Sequence, residues 1–336
     1  MKTQYYIKVL IIFLFISCNN KENTTDFTIA FGSCNKQFVD NVLWKEIIKT
    51  KPDLWIWGGD NIYSDTDDME KMKADYDQLF KQDGYMTLVN STKIMATWDD
   101  HDYGLNDGGL EFHKKKEAQQ LFLDFLNVPK DSPRRTQEGV YTSKTFSTKK
   151  GSIKVIVLDT RYFRSSLQKS NKKGRRYEPK DDGSMLGDKQ WSWLETELKN
   201  SKADFTILVS SIQFLSSEHG FERWFTFPKE VGKLKSLVKE SPSNVFLLSG
   251  DRHISEFSEE KIEGLDYPFI DFTSSGLTHS YSNFTGETNR YRTGKVISEL
   301  SYGLLKFNFE TRTVIMQMRG KENILQQEKI QRFPSK

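Results

Sequence analysis

The chain has 336 residues, with 49 basic and 46 acidic side chains for a formal charge of +3, 36% hydrophobic residues and two cysteines. A near-neutral balance gives no electrostatic case for a nucleic-acid partner. The length suffices for one large α/β or sandwich domain or two small ones, and two cysteines cannot form a disulfide framework.

Residues 1–17 carry two lysines, no acid and an apolar run from Val9 to Ile16, the pattern of a secretory segment too short to span a bilayer as a mature helix. The run ends Phe15-Ile16-Ser17-Cys18 and is followed by polar residues 18–26, which read as a tether. This resembles a bacterial lipoprotein signal, in which Cys18 becomes the lipidated first residue; an uncleaved anchor is the alternative, with the same destination outside the cytoplasm. Cleavage removes two lysines and no acid, so the charge falls to +1, and Cys34 is left without a partner. The expectation is an exported, membrane-anchored protein whose folded part is a single domain over 27–336.

Phe27 to Phe31 reads as a strand running into Gly32-Ser33-Cys34. Asp40 could cap a helix with Leu43, Trp44, Ile47 and Ile48 on its apolar face. Leu54 to Trp57 is a second strand, ending in Gly58-Gly59-Asp60-Asn61-Ile62-Tyr63. A polar helical region from Asp67 to about Val89 leads to a third strand, Lys93 to Trp98, and then to Asp99-Asp100-His101-Asp102. The pattern is βαβαβ with a polar cluster at the C-terminal end of each strand, where open α/β sheets bind ligands.

Beyond an amphipathic helix from Lys114 to Leu126, strands are expected at Val140 to Phe146 and Ile153 to Leu158, the latter running into Asp159-Thr160-Arg161. Arg164 to Gly187 lacks a periodic apolar face and reads as a long surface loop or lid. Phe205 to Val209 ends in Ser210-Ser211-Ile212-Gln213, and Val245 to Leu248 ends in Ser249-Gly250-Asp251-Arg252-His253. Later strands, at Phe269 to Thr273, Gly303 to Phe309 and Thr313 to Met318, make a β-rich tail.

Three carboxylates around His101 repel one another unless solvated, protonated or neutralised by a cation, so this stretch is a metal-site candidate or a solvated Asp-rich turn. Cys34, Asp60, Tyr63, Asp100, His101, Asp251 and His253 each follow an apolar strand, and a shared metal centre would accommodate them all. The segments Phe31-Gly32-Ser33-Cys34, Gly59 to Tyr63, Trp98 to Gly104, Leu158 to Arg161 and Gly250 to His253 stand in the order seen in PhoD-type alkaline phosphatases and phosphodiesterases, which this chain resembles.

That resemblance, within the calcineurin-like metallophosphoesterases, implies an α/β four-layer α-β-β-α sandwich with a two-metal site at the strand ends. It implies that Asp60 bridges the metals, that Cys34, Tyr63 and His253 complete the first site, and that Asp100 and Asp251 serve the second. His101 takes the position of the catalytic His, with Asp102 or another carboxylate to orient it, and the pairing implied is Fe3+ with Ca2+, Mn2+, Mg2+ and Zn2+ being alternatives. The superfamily's extra His after the fifth strand is replaced by Ser210, Ser211 and Gln213.

Arg161 is the candidate for bidentate phosphate recognition, against a structural role near Asp159. Cys34 could instead be a core residue and Tyr63 a packed aromatic, and His279 is read as a loop residue, with a place at the pocket rim as the alternative. The expected activity is metal-assisted hydrolysis of a phosphoester at the cell surface by an activated hydroxide. The other readings are a two-metal hydrolase of a different ester and a calcium-stabilised binding lipoprotein.

Overall fold

The computed structural model describes residues 24–335; the secretory segment and Cys18 lie outside the described residues. In chain order come β1 (Phe27–Gly32), α1 (Trp44–Lys49), β2 (Leu54–Gly58), α2 (Met69–Phe80), α3 (Asp83–Ser91), β3 (Lys93–Thr97), α4 (Asp100–Tyr103) and α5 (Lys115–Phe125). Next are β4 (Thr142–Ser147), β5 (Ser152–Val157), the short β6 (Gln168–Lys169) and β7 (Tyr177–Glu178), α6 (Gly187–Lys199), β8 (Phe205–Val209), α7 (Pro228–Glu240) and β9 (Asn244–Ser249). The chain closes with β10 (Ser255–Glu260), β11 (Phe269–Ser274), β12 (Arg292–Ile297), β13 (Tyr302–Asn308), β14 (Thr313–Arg319) and β15 (Leu325–Arg332).

Two mixed sheets form, in the orders β15-β14-β13-β1-β2-β3 and β12-β10-β11-β9-β8-β5-β4. Side-chain alternation along the strands decides how they stack. Phe27, Ile29 and Phe31 of β1, Leu54 and Ile56 of β2, Ile153, Val155 and Val157 of β5 and Phe205, Ile207 and Val209 of β8 share one core between the sheets. Phe31 meets Phe272 edge-on across that core at 4.8 Å. The intervening residues face outward: Ala30, Trp55 and Trp57 pack under α1, α2, α3 and α5, while Ile156, Leu208, Val245 and Leu247 pack under α6 and α7. Strands buried on both faces read as unbroken apolar runs, which is why Leu54 to Trp57 and Phe205 to Val209 show no alternation in the sequence. The layers are helix, sheet, sheet, helix, as the resemblance implies.

β1, β2 and β3 run parallel, as do β5, β8, β9 and β11. All seven therefore end on the same edge of their sheets, and the polar clusters follow those ends.

Local expectations differ in four places. Asp40 does not cap α1; Asn41 accepts the Leu43 amide instead, at 3.0 Å. The helical region after Asp67 is broken at Gln82, whose amide side chain bridges Trp44 Nε1 (2.9 Å) and the Gln37 carbonyl (2.9 Å). The strand expected from Val140 begins at Thr142. The 164–187 segment is anchored rather than loose: Arg164 is fully buried, β6 pairs with β7, and the Tyr177 hydroxyl donates to Asp107 at 2.7 Å.

Gly303 of β13 pairs with Phe31 of β1, and a Cβ there would lie 2.0 Å from the Phe31 ring. Gly303→Ala should destabilise the fold by about 1–3 kcal/mol through overpacking. A urea midpoint unchanged from wild type would show that the ring has room to move.

Candidate metal centre

Each group arrives from a strand end. Cys34 follows β1, Asp60 and Tyr63 follow β2, Asp99, Asp100 and His101 follow β3, Asp251 and His253 follow β9, and Ser275 and His279 follow β11. Turning the chain so sharply uses unusual backbone. Cys34 (φ 63°), Asp60 (51°), Asp251 (70°) and His253 (54°) all occupy the left-handed region, which costs a non-glycine residue of order 1–3 kcal/mol. Gly59 sits at φ 98° with no space for a side chain, since a Cβ would lie 2.6 Å from that of Asp99.

The first cluster gathers on Asp60. Its Oδ2 is 3.3 Å from Cys34 Sγ and 3.2 Å from Tyr63 Oη. Tyr63 Oη is in turn 3.0 Å from His253 Nε2 and 3.2 Å from His279 Nε2. Ser275 Oγ lies 2.9 Å from the thiol and accepts the His253 amide at 2.8 Å. Cys34, Asp60 and His253 each offer a ligand atom within 4.8 Å of the others.

Two further groups meet the same criterion, Asp60 with Asp100 and His101, and Asp99 with Asp100 and Asp251. Asp60 and Asp100 each belong to two of the three. Asp100 is fixed by Asn106 Nδ2 (2.6 Å) and the Asp107 amide (2.8 Å) on Oδ2. His101 stacks on the Tyr63 ring at 4.1 Å, and its Nδ1 is 2.8 Å from Asp65.

The electrostatics ask for cations. Burial, with the thiol of Cys34 next, drives the Asp60 carboxyl far above its ordinary range, and burial pushes Cys34 up to about 11. Burial raises Asp251 strongly as well, with Asp99 and Asp100 adding to it. Burial also opposes the Asp100 carboxylate, but Arg161, His101 and the surrounding hydrogen bonds outweigh it and hold this group below its normal value. Asp60 Oδ1 and Asp99 Oδ2 are buried without any hydrogen-bond partner. Acceptor atoms left bare in this way are costly, and a bound cation removes the cost. The thiol, phenol, imidazole and carboxylate donors fit one metal position around Asp60, and the carboxylates of Asp99, Asp100 and Asp251 make an all-oxygen set that fits a second, with His101 beside it.

Three expected roles change. Asp102 does not touch His101; it accepts the Asp99 amide (2.6 Å) and Asn61 Nδ2 (2.6 Å), tying the β3 end to the β2 end, while Asp65 holds the imidazole. Arg161 does not face the cleft. It is fully buried, with Nε and Nη2 on Asp99 (2.6 and 2.5 Å) and Nη1 on Glu222 (2.6 Å), so no surface is left for a phosphate. His279, read as a loop residue or at most one at the rim, joins the first cluster, 3.2 Å from Tyr63 Oη and 3.3 Å from His253 Nε2. Of Ser210, Ser211 and Gln213, which stand where the superfamily His was expected, Ser211 donates to Asp99 Oδ1 at 2.6 Å. A lone acid at a coil position, such as Asp65, carries no sequence signal of its use; His279 had one, because it follows an apolar strand as the other ligands do.

A cleft of about 350 Å³ opens onto these groups, floored by Asp100, His101, Asp251 and His253. Arg176, Phe221, Arg252 and Tyr281 line it as well, and the Arg176 amide donates to the carbonyl of Gly220, next to Phe221, at 2.7 Å.

The fold agrees with solved phosphatases. It superposes on the structure of PhoD with a TM-score of 0.73 at 18% identity, covering 92% of this chain and 69% of that one. A dimetal phosphatase from Danio rerio gives 0.55 at 10% identity, over 93% of this chain and all of the other. Alkaline phosphatase D of Bacillus subtilis (strain 168) is 24% identical over 309 residues, 76% of this chain and 52% of that protein, so the chain spans about half the length of this curated relative. The PhoD-like phosphatase model matches residues 13–329, nearly the whole sequence, and the chain belongs to the PhoD-like phosphatase family.

Proposed function

We propose that the chain is a metal-dependent phosphoester hydrolase. The observation that carries this reading is the meeting of a thiol and a phenol on Asp60 Oδ2, with two imidazoles on that phenol, while Asp60 Oδ1 is buried with no partner. Cys34, Tyr63 and His253, with His279 beside them, would hold one metal; Asp100, Asp251 and His101 frame the second, and Asp60 would serve both. Bound there, the two cations would lower the pKa of water to supply a nucleophile and offset charge building on phosphoryl oxygens.

The protein's own groups supply the rest. Burial disfavours a charged His101, but Asp60, Asp65 and Asp100 outweigh it and raise the imidazole to about 10; cations on Asp60 and Asp100 would weaken two of these causes and leave the Asp65 contact to favour the proton. With Nδ1 held by Asp65, Nε2 is left to deliver that proton to the leaving-group oxygen. Arg161 acts from behind, neutralising Asp99 and biasing Asp100 toward the charged form. Arg176, half exposed on the cleft, is the candidate for the anion recognition first expected of Arg161.

The metals proposed are ferric iron at the first position and calcium at the second. A thiolate and a phenolate are strong anionic donors that ordinarily lose their protons only near pH ~8.5 and ~10, and a trivalent ion offsets that cost best. The oxygen-rich partner position suits a hard divalent ion. Export and lipid attachment at Cys18 are proposed on the character of residues 1–18.

The reading is tested with aryl phosphate mono- and diesters, sulfates and carboxylates, with defined metals added; hydrolysis confined to the sulfates or carboxylates would refute it. Asp60→Asn should lower activity by at least about a hundredfold and reduce bound metal, beyond the roughly 10–100-fold typical of groups that only support a ligand. Retention of both metals at near-normal rates would remove Asp60 from the bridging position. Asp65→Asn should cost about tenfold in kcat. Because the donor must keep its proton and loses a stabilising carboxylate, the alkaline limb of the kcat profile should move to lower pH; an unmoved limb excludes His101 as the acid. Pure protein should be coloured by charge transfer from Tyr63 or Cys34 to iron, with Tyr63→Phe and Cys34→Ser each shifting or bleaching the band. A colourless preparation fully active with zinc or magnesium alone rules iron out.

A further inference from the structure

Three aromatic rings are exposed among the described residues, and two of them, Phe221 and Tyr281, stand on the wall of the cleft that leads to the metal centre. The third, Phe38, lies elsewhere. Exposed rings are ordinary when scattered, but two on the lip of one small cleft make a surface of defined chemistry. Neither is there through looseness of the chain. The Tyr281 amide donates to the His253 carbonyl at 2.7 Å, so this residue is tied to a metal-ligand candidate. Phe221 is tied through its carbonyl, which accepts from Arg223 Nη1 at 2.7 Å.

Arg252 fixes the Phe221 ring itself. Its guanidinium lies 4.2 Å from the ring centroid and is anchored by Glu287 Oε1 at 2.6 Å, with only 9% of the side chain exposed. One face of the ring is thus covered by a cation that is itself held in place, while 40% of the residue remains open to the cleft. Arg252 Nε is buried and has no hydrogen-bond partner, so the same residue also offers an unused donor.

The floor of the cleft carries the groups that would hold the phosphoryl unit, and His101 is the acid for the departing oxygen. Whatever is attached to that oxygen must therefore lie along the walls. We propose that Phe221 and Tyr281, with Arg252 behind Phe221, form a leaving-group subsite for a planar aromatic group, of the size and chemistry of a nucleoside. This rests on the phosphoester-hydrolase reading above. A rigid ring presented face-open favours stacking with another π system over an aliphatic polyol, and the arginine reinforces it.

The test compares adenosine 5′-monophosphate with ribose 5-phosphate, which share a 5-phosphate and a ribose and differ at C1, where one carries the base and the other a hydroxyl. The metal-loaded protein should show a kcat/KM higher for the nucleotide by roughly fivefold to a hundredfold, the range of one base–aromatic stack. Phe221→Ala and Tyr281→Ala should each reduce that ratio. Phe221→Leu, which keeps apolar bulk without a π face, should reduce it nearly as far. If the protein turns over only diesters, adenosine and ribose are compared as inhibitors of that reaction, and adenosine should inhibit at concentrations at least tenfold lower. Equal handling of the paired compounds, or a ratio the variants leave unchanged, overturns the subsite while the hydrolase reading stands. Absence of hydrolysis of every phosphoester tried, with iron, calcium, manganese, magnesium and zinc supplied, overturns both.

Discussion

Negative charge without water is the constraint on which this structure turns. Asp60, Asp99 and Asp100 are almost wholly buried within one small volume, and Asp251 closes it from the cleft side. Hydrogen bonds and one arginine satisfy part of the demand: Asp100 has its amide donors, and Asp99 has Arg161 and Ser211. The remainder falls on Asp60 and Asp99, each of which keeps one buried oxygen that faces no donor. Like charges in a low-dielectric interior raise one another's pKa values until a cation or a proton intervenes. The donor chemistry of the family and the bare oxygen lead to the same conclusion from different directions.

The fold provides the geometry for concentrating charge in this way. Seven parallel strands ending on one edge deliver a polar residue each, and the two sheets pack closely enough for those residues to meet. At Gly250 a side chain would strike Ser33 and the Gly58 carbonyl, so the ends of β1, β2 and β9 are already in contact. The cost appears in the backbone, where four ligand candidates hold left-handed conformations. Strain collected at the chemically active end, with regular strands and a well-filled core beneath it, is how a rigid scaffold pre-positions a site.

Arg161 shows how a correct residue can carry the wrong expectation. Its position after an apolar strand places it at the site, and a guanidinium near a phosphate-binding centre invites a direct role. The charge is spent instead on Asp99 and Glu222, inside the protein. A buried cation between two carboxylates is tolerated because their attraction offsets desolvation that none of the charges could bear alone, and removing one partner would leave an uncompensated buried charge. Glu222 belongs to the same wall as Phe221, so the metal centre and the cleft lip share one ionic support.

Much of the architecture was legible in the residues because strand interiors and strand ends differ in kind. Unbroken apolar runs identified the central strands, and the polar cluster after each marked the active edge; Cys34, Asp60, Tyr63, Asp100, Asp251 and His253 all came together in the structure as that pattern implies. What the pattern lacks is distance. Asp65 and Asp102 are equally plausible partners for His101 in one dimension, and only the path of the chain after β2 puts Asp65 at 2.8 Å while turning Asp102 toward Asn61. The same holds for His279, for the direction of the Arg161 side chain, and for the open faces of Phe221 and Tyr281. The sequence by itself determined the order of strands, the kinds of donor and the edge where they lie. Tertiary structure alone decided which donors share a centre, because ligation and hydrogen bonding act over a few ångströms between residues brought together from positions as much as 244 apart.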